Sequence, residues 1–177
     1  MPKDNRKKLE SMFRKLTLIA LLLALLIIVM GAWDRISGVA SGCTDFFTCG
    51  DAFSIGSMDI RLDPAWQAKV HRYLAGGLGV LVLLLTGGVL GVVTNRGRAI
   101  FLTYALLLLV GGQALLGMWT LKSHLMPMMV TVHLLAGTLV LLLIQRLYLV
   151  LSPQRGPAGK VTGLKWLSRI ALALFLA

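Results

Sequence analysis

The chain has 177 residues, of which 57% are apolar and only 14% charged, and its formal net charge is +11. Soluble domains contain roughly 45–50% apolar and about 25% charged residues. This composition excludes a disordered chain, a soluble basic nucleic-acid-binding protein and a small disulfide-rich secreted module. It is typical of an integral membrane protein whose basic residues lie in its loops, so the positive charge requires no nucleic-acid partner.

Four charge-free apolar stretches are long enough to cross a membrane, since a spanning helix needs roughly 20 such residues. They cover residues 16–33, 73–93, 99–121 and 125–145, and none alternates with the period of two that a β-barrel strand requires. The sequence therefore predicts an all-α integral membrane protein built as a four-helix transmembrane bundle. A further apolar run follows Arg169, and we interpret it as the start of a fifth span in a longer parent protein; a short amphipathic tail is the alternative.

The basic residues predict how the bundle is oriented. Thirteen of the 18 Lys and Arg fall in 1–15, 94–98 and 146–169, and five fall on the opposite side. Because Lys and Arg concentrate in cytoplasmic loops, the N-terminus is predicted to be cytoplasmic, with anionic lipid as a contact. The predicted organisation is a basic tail at 1–15, the bundle at 16–150 with an external loop at 34–70, and a cytoplasmic loop with the start of a fifth span at 151–177.

The external loop contains both cysteines and most of the acidic residues. Cys43 and Cys49 are six residues apart on the side predicted to be oxidising, which favours a disulfide. Free thiols or a metal site remain alternatives, although two thiols with no nearby histidine make a poor zinc site. Five of the seven Asp and Glu lie between Asp34 and Asp63, and none follows Asp63. Any carboxylate with a chemical role is therefore expected to come from this loop.

Two of the three histidines are predicted to lie at similar depth in the external half of the bundle. His71 opens the second span, and His133 follows Pro127 in the first turns of the fourth. Ionisable groups within spans are rare and usually functional, and helix bundles build cofactor sites from such facing side chains. A pair of imidazoles can provide both axial ligands of a haem iron, with Arg72 placed to bind a propionate. The alternative is that each residue is an interfacial side chain. His124, in the turn before the fourth span, is read as solvated.

Similar segments surround the two histidines: VHRYLAG at 70–76 and VHLLAG at 132–137. The small residues after each, such as Gly76, Gly77 and Gly137, would let a flat macrocycle approach the backbone. Gln113, buried in the third span, needs a hydrogen-bond partner on a neighbouring helix.

Four segments taken in order resemble the haem A synthase family, specifically its N-terminal half. GAWDRISGVASGCTDFFTCG at 31–50 is similar to the family's first external loop, and VHRYLAG to its ligand His-Arg segment. GQALLGMWT at 112–120 and VTVHLLAG at 130–137 resemble the family's Gln-containing third span and its second ligand segment.

The resemblance implies an oxidoreductase that converts a methyl group of haem O to the formyl group of haem A for cytochrome oxidase assembly. It implies His71 and His133 as iron ligands, haem O or a b-type haem as the bound group, and a multi-pass protein of a bacterial-type inner membrane. Haem O synthase or oxidase assembly factors are the implied protein partners.

The chain departs from the family pattern at two places. The family often has Glu three residues before its first ligand, where this chain has Ala68, and the cysteine loop lacks the family's two prolines and tryptophan. No catalytic residue is therefore assigned, and Asp59 or Asp63 is a candidate substitute for the Glu. Two other functions stay open: a non-catalytic haem-binding or haem-delivery protein, and a b-type electron-transfer bundle.

Overall fold

A computed structural model describes residues 3–36, 66–92, 96–123 and 126–152. These form four α-helices, α1 Lys3–Ile36, α2 Trp66–Val92, α3 Arg96–Lys122 and α4 Pro127–Leu151, and the described ranges include no strand. Each helix is long and apolar enough to cross a membrane. The predicted all-helical membrane fold is thus confirmed.

The helices extend beyond the charge-free stretches that predicted them. α1 begins at Lys3 and continues through the basic segment before residue 16, and α4 continues past Arg146 to Leu151. Lys and Arg favour helix and can reach the interface along their aliphatic stems, so a charge ends the apolar run without ending the helix.

Several predicted features lie outside the described residues. These are Cys43 and Cys49 with their proposed disulfide, the carboxylates Asp59 and Asp63, His124, and the start of a fifth span after Arg169. The corresponding assignments, including the domain boundaries, stay predictions.

The four helices pack as a ring in which α1 contacts α2 and α4, and α3 contacts the same two helices. Residues that recur at alternating steps of three and four along each helix form its inner face, as expected for packed antiparallel helices. On α2 this series includes Ala68, Leu78, Val82, Leu85 and Val89, all of them buried. On α4 it includes Val140, Ile144 and Leu147.

The half of the bundle that contains the beginning of α1 is filled by large side chains. Leu85, Leu106, Ile144 and Leu147 are almost fully buried there. α1 faces them with Ala20 and Ala24, which allow close approach of its backbone. The ring of Phe13 occupies the space that a side chain at Gly88 would need. This half is a closed hydrophobic core.

Buried hydroxyl groups inside the bundle are satisfied within their own helices. The Oγ1 atoms of Thr17, Thr86, Thr103 and Thr120 each donate to the carbonyl four residues earlier, at 2.7–3.1 Å. Thr86 also donates to the carbonyl of Thr103 across the α2–α3 interface at 3.4 Å. These bonds remove the cost of placing a hydroxyl in an apolar environment.

Three tryptophans mark the opposite end of the bundle. Trp33 lies near the end of α1, Trp66 begins α2, and Trp119 lies near the end of α3, each at least 37% exposed. Indole rings favour the membrane–water interface. This end of the bundle, called the tryptophan end below, also contains the two histidines that the sequence singled out.

Candidate functional site

The inner faces of the four helices change character toward the tryptophan end. The inner-face positions carry Leu, Val and Ile in the closed core, and toward this end they carry glycine, alanine, histidine and glutamine. The residues concerned are Gly31 on α1, Ala68, His71 and Ala75 on α2, Gln113 and Gly117 on α3, and His133 and Gly137 on α4. Helix interiors lined with such small residues leave room between the backbones for polar side chains or a bound group.

The imidazole of His71 lies against the backbone of α1. A Cβ added to Gly31 would lie 3.0 Å from Cε1 and 3.4 Å from Nδ1 of this ring. The ring also interacts with the backbone carbonyl of Ile27, one turn earlier on α1, and its Nδ1 atom is buried without a hydrogen-bond partner. Glycine at position 31 is therefore what allows His71 to occupy the α1–α2 interface.

His133 holds the matching position on the other pair of helices. A Cβ added to Gly117 of α3 would lie 3.5 Å from its Cε1 atom, which is ordinary contact distance. Its Nδ1 atom is likewise buried and makes no hydrogen bond. The two histidines are close enough to interact electrostatically. The structure thus brings the histidines of α2 and α4 to the same level of the bundle interior.

Gln113 connects α3 to the backbone of α4 at the second histidine. Its Nε2 atom donates to the carbonyl oxygen of His133 at 3.0 Å. The same nitrogen lies 3.6 Å from where a Cβ of Gly137 would be. The expected interhelical partner of Gln113 is therefore present, and it fixes the α4 turn that bears His133.

Charged and polar side chains accompany His71 at this end of the bundle. Asp34, on the inner face of α1 one turn after Gly31, is only 7% exposed and interacts electrostatically with Arg72 of α2. Gln67, one turn before His71, buries its Oε1 atom without a hydrogen-bond donor. Ala68, also one turn before His71, is 6% exposed and offers only a methyl group.

The glycines that contact the two imidazoles are not the ones that the sequence singled out. Gly76 and Gly77, expected to admit a macrocycle, have no atom within 4 Å of an added Cβ and lie off the inner face. The glycines that contact the imidazoles are Gly31 and Gly117. Ala75 and Gly117 lie four residues after His71 and Gln113, one helical turn away on the same face. The sequence spacing could therefore have predicted these two small residues on the inner faces of α2 and α3.

Two imidazoles are the nitrogen donors that the described helices bring to this level of the interior. Among the described ranges, no three His, Cys, Asp or Glu residues converge as they would around a protein-bound metal ion. Two facing histidines without a third ligand suit a metal whose other ligands come from a macrocycle.

Comparison with known proteins gives two matches. Residues 14–177 match the family described as COX15-CtaA, cytochrome oxidase assembly protein. A protein named heme A synthase from Shewanella oneidensis is 35% identical over 151 residues, covering 77% of this chain and 45% of that relative. The chain thus spans less than half the length of this curated relative. No solved structure matches the chain.

Proposed function

Because the chain belongs to the COX15-CtaA family of cytochrome oxidase assembly proteins, we propose that it binds haem and takes part in converting haem O to haem A. The matched relative is named for haem A synthesis, and it is more than twice as long as the matched region. The activity is therefore proposed for the protein to which this bundle belongs, and His71 and His133 are the residues of this bundle that would hold the haem iron.

The observation that carries the proposal is the pairing of two half-buried histidines with an interior of glycine and alanine. Each imidazole leaves Nδ1 buried without a hydrogen bond. Around them, Gly31, Ala68, Gly117 and Gly137 present at most a methyl group, while the rest of the bundle is filled by large aliphatic side chains. A flat, largely apolar macrocycle with open axial positions fits this chemistry.

The residues around the histidines have separable roles in the proposed site. Gly31 gives the His71 ring its place against α1, and Gln113 holds the α4 backbone at His133. Arg72 has enough N–H donors to keep its interaction with Asp34 and still bind a haem propionate. When bound, the haem supplies the iron and the porphyrin methyl group that is to be oxidised. The protein's contribution is to hold that group in one orientation and exclude bulk water.

A non-catalytic role in haem binding or delivery is the second candidate. Ala68 supports it, because this buried position beside His71 carries neither a base nor a charge. Both functions require haem binding, so they differ only in whether the bound haem is altered.

Haem titration of the purified full chain tests the binding shared by both functions. We expect one haem per chain with the absorption spectrum of a six-coordinate, low-spin iron. His71→Ala and His133→Ala should each abolish that spectrum, while His124→Ala should leave it unchanged. A low-spin spectrum that survives both inner-face substitutions would contradict the proposed ligands.

Conversion is then tested in cells that supply haem O. Extraction of the pigments gives the ratio of haem A to haem O in membranes with and without the protein. An increased ratio supports the synthase function. A protein that loads with haem O and leaves the ratio unchanged is a binding or delivery protein.

A further inference from the structure

A second site lies at the end of the bundle opposite the tryptophan end. An open groove of about 510 Å³ runs there between the beginning of α3 and the last turns of α4. It is lined by Gly97, Arg98, Phe101, Leu102, Arg146 and Val150. It shares no residue with the histidine site.

The lining combines two kinds of surface. Arg98 on α3 and Arg146 on α4 are its basic residues, while Phe101, Leu102 and Val150 are apolar. Phe101 is 72% exposed, so its ring is open to the surroundings of the bundle. A ligand complementary to both surfaces has an anionic head and a hydrocarbon tail.

The position of Arg146 makes an anionic neighbour favourable. It lies inside the candidate span Pro127–Leu151 and is followed by five apolar residues before the helix ends. At 1.5 Å per residue this places its Cα roughly 8 Å from the end of α4. Near a helix end the long side chain of arginine can reach the membrane interface, where an anionic headgroup is a favourable neighbour.

Neither wall of the groove provides a carboxylate. α3 and α4 contain no Asp or Glu, and Asp63 is the last acidic residue of the chain. α3 also begins at Arg96, so its first-turn N–H groups and the positive end of its dipole lie at the same end of the helix as the groove. Asp4 and Glu10, at the beginning of α1, lie at the same end of the bundle but are not among the described residues that line the groove. An anionic lipid headgroup is the complementary charge that the membrane supplies.

We propose that this groove binds one anionic phospholipid, with its phosphate between Arg98 and Arg146 and an acyl chain along Phe101, Leu102 and Val150. Basic pockets between membrane helices are suited to anionic headgroups. The site is independent of the proposed haem chemistry, because it lies at the other end of the bundle.

The test uses the full chain, purified and stripped of lipid, with phosphatidylglycerol and phosphatidylcholine as probes. Native mass spectrometry should show saturable binding of one phosphatidylglycerol and weaker binding of phosphatidylcholine. Arg98→Gln and Arg146→Gln should each weaken phosphatidylglycerol binding by about fivefold. Phe101→Ala should weaken both lipids.

Lys122→Gln is the matched control, because Lys122 is an exposed basic residue at the other end of α3. Its lipid binding should equal that of the unaltered chain. If Lys122→Gln weakens phosphatidylglycerol binding as much as the arginine variants do, the lipid is held by general charge attraction and the proposed site is wrong. Equal binding of the two lipids would also contradict it. If inorganic phosphate at low millimolar concentration displaces phosphatidylglycerol completely, the groove is a phosphate site and the lipid assignment is wrong.

Discussion

A methyl group added at Gly31 would lie 3.0 Å from Cε1 of His71, closer than carbon atoms normally approach. We therefore expect Gly31→Ala to displace the imidazole and weaken haem binding by about tenfold, which corresponds to about 1.4 kcal/mol. The stability of the helix should not decrease, because alanine is more favourable than glycine inside a helix by about 0.5–1 kcal/mol. Haem titration and thermal unfolding of the haem-free protein measure the two effects separately.

Gly76→Ala is the control for that substitution. Gly76 also lies inside a membrane helix, but a Cβ added there meets no atom within 4 Å. It should gain the same helix stability and bind haem unchanged. If both variants lose affinity equally, the contact between Gly31 and His71 has no part in haem binding.

Ala68 is the residue at which a single charge would change the chemistry of the site. It is 6% exposed, one turn from His71 on the inner face of α2, in the half of the bundle that also contains Asp34 and Arg72. We expect Ala68→Glu to raise the ratio of haem A to haem O, because a carboxylate beside the bound group can accept a proton or stabilise developing positive charge. Arg72 supplies the cation that makes a buried Glu tolerable.

The uncharged Ala68→Gln separates charge from size in this experiment. It should bind haem and give no increase in conversion. If Asp59 or Asp63 already supplies the carboxylate, Ala68→Glu should be neutral or harmful, and Asp63→Asn should reduce conversion. No change in any of these variants would mean that no such carboxylate controls the reaction.

A hydrogen bond links α3 to α4 at the level of the site. Gln113→Leu removes the bond from Nε2 to the carbonyl of His133 and should lower the free energy of unfolding by about 0.6–1 kcal/mol. It should also broaden the low-spin haem spectrum, since the α4 turn that bears His133 loses its support. Thr138→Val, which removes a bond within α4 alone, is the control and should leave the spectrum unchanged. An unaltered spectrum in Gln113→Leu would show that Gln113 contributes to helix packing and does not support the position of His133.

The helices could be predicted from sequence more completely than the site. Long apolar stretches with polar ends fix the number of spans, because the bilayer sets their length. His71 and His133 stand out for the same reason, since polar residues are rare in such stretches. The contact of Gly31 with His71 and the approach of Asp34 to Arg72 depend on the rotation and axial offset of α1 against α2. The sequence of a single helix does not determine this rotation and offset, so the two contacts could not be predicted before the helices were packed together.

The external loop adds a covalent prediction for the whole molecule. Cys43 and Cys49 lie outside the described residues, and their pairing rests on their spacing and on the side of the membrane predicted from charge. We expect neither thiol to react with maleimide in the unfolded, non-reduced protein and both to react after reduction. Quantitative labelling of both without reductant would show that they are free thiols.

The orientation of the whole bundle is predicted from its basic residues, 13 of 18 of which fall in segments predicted to lie on the side of the N-terminus. Each Lys or Arg resists translocation, so the N-terminus is expected to face the cytoplasm and the tryptophan end, with the histidine site, to face outward. An Asn5→Cys variant lacking both native cysteines should react with a membrane-impermeant maleimide only after cells are lysed. A second variant that retains Cys43 as its single cysteine should react with the same maleimide before lysis, in cells whose outer membrane alone has been permeabilised. Reversed accessibility of the two positions would place the histidine site on the cytoplasmic side, and the oxidising environment on which the disulfide prediction depends would then be absent.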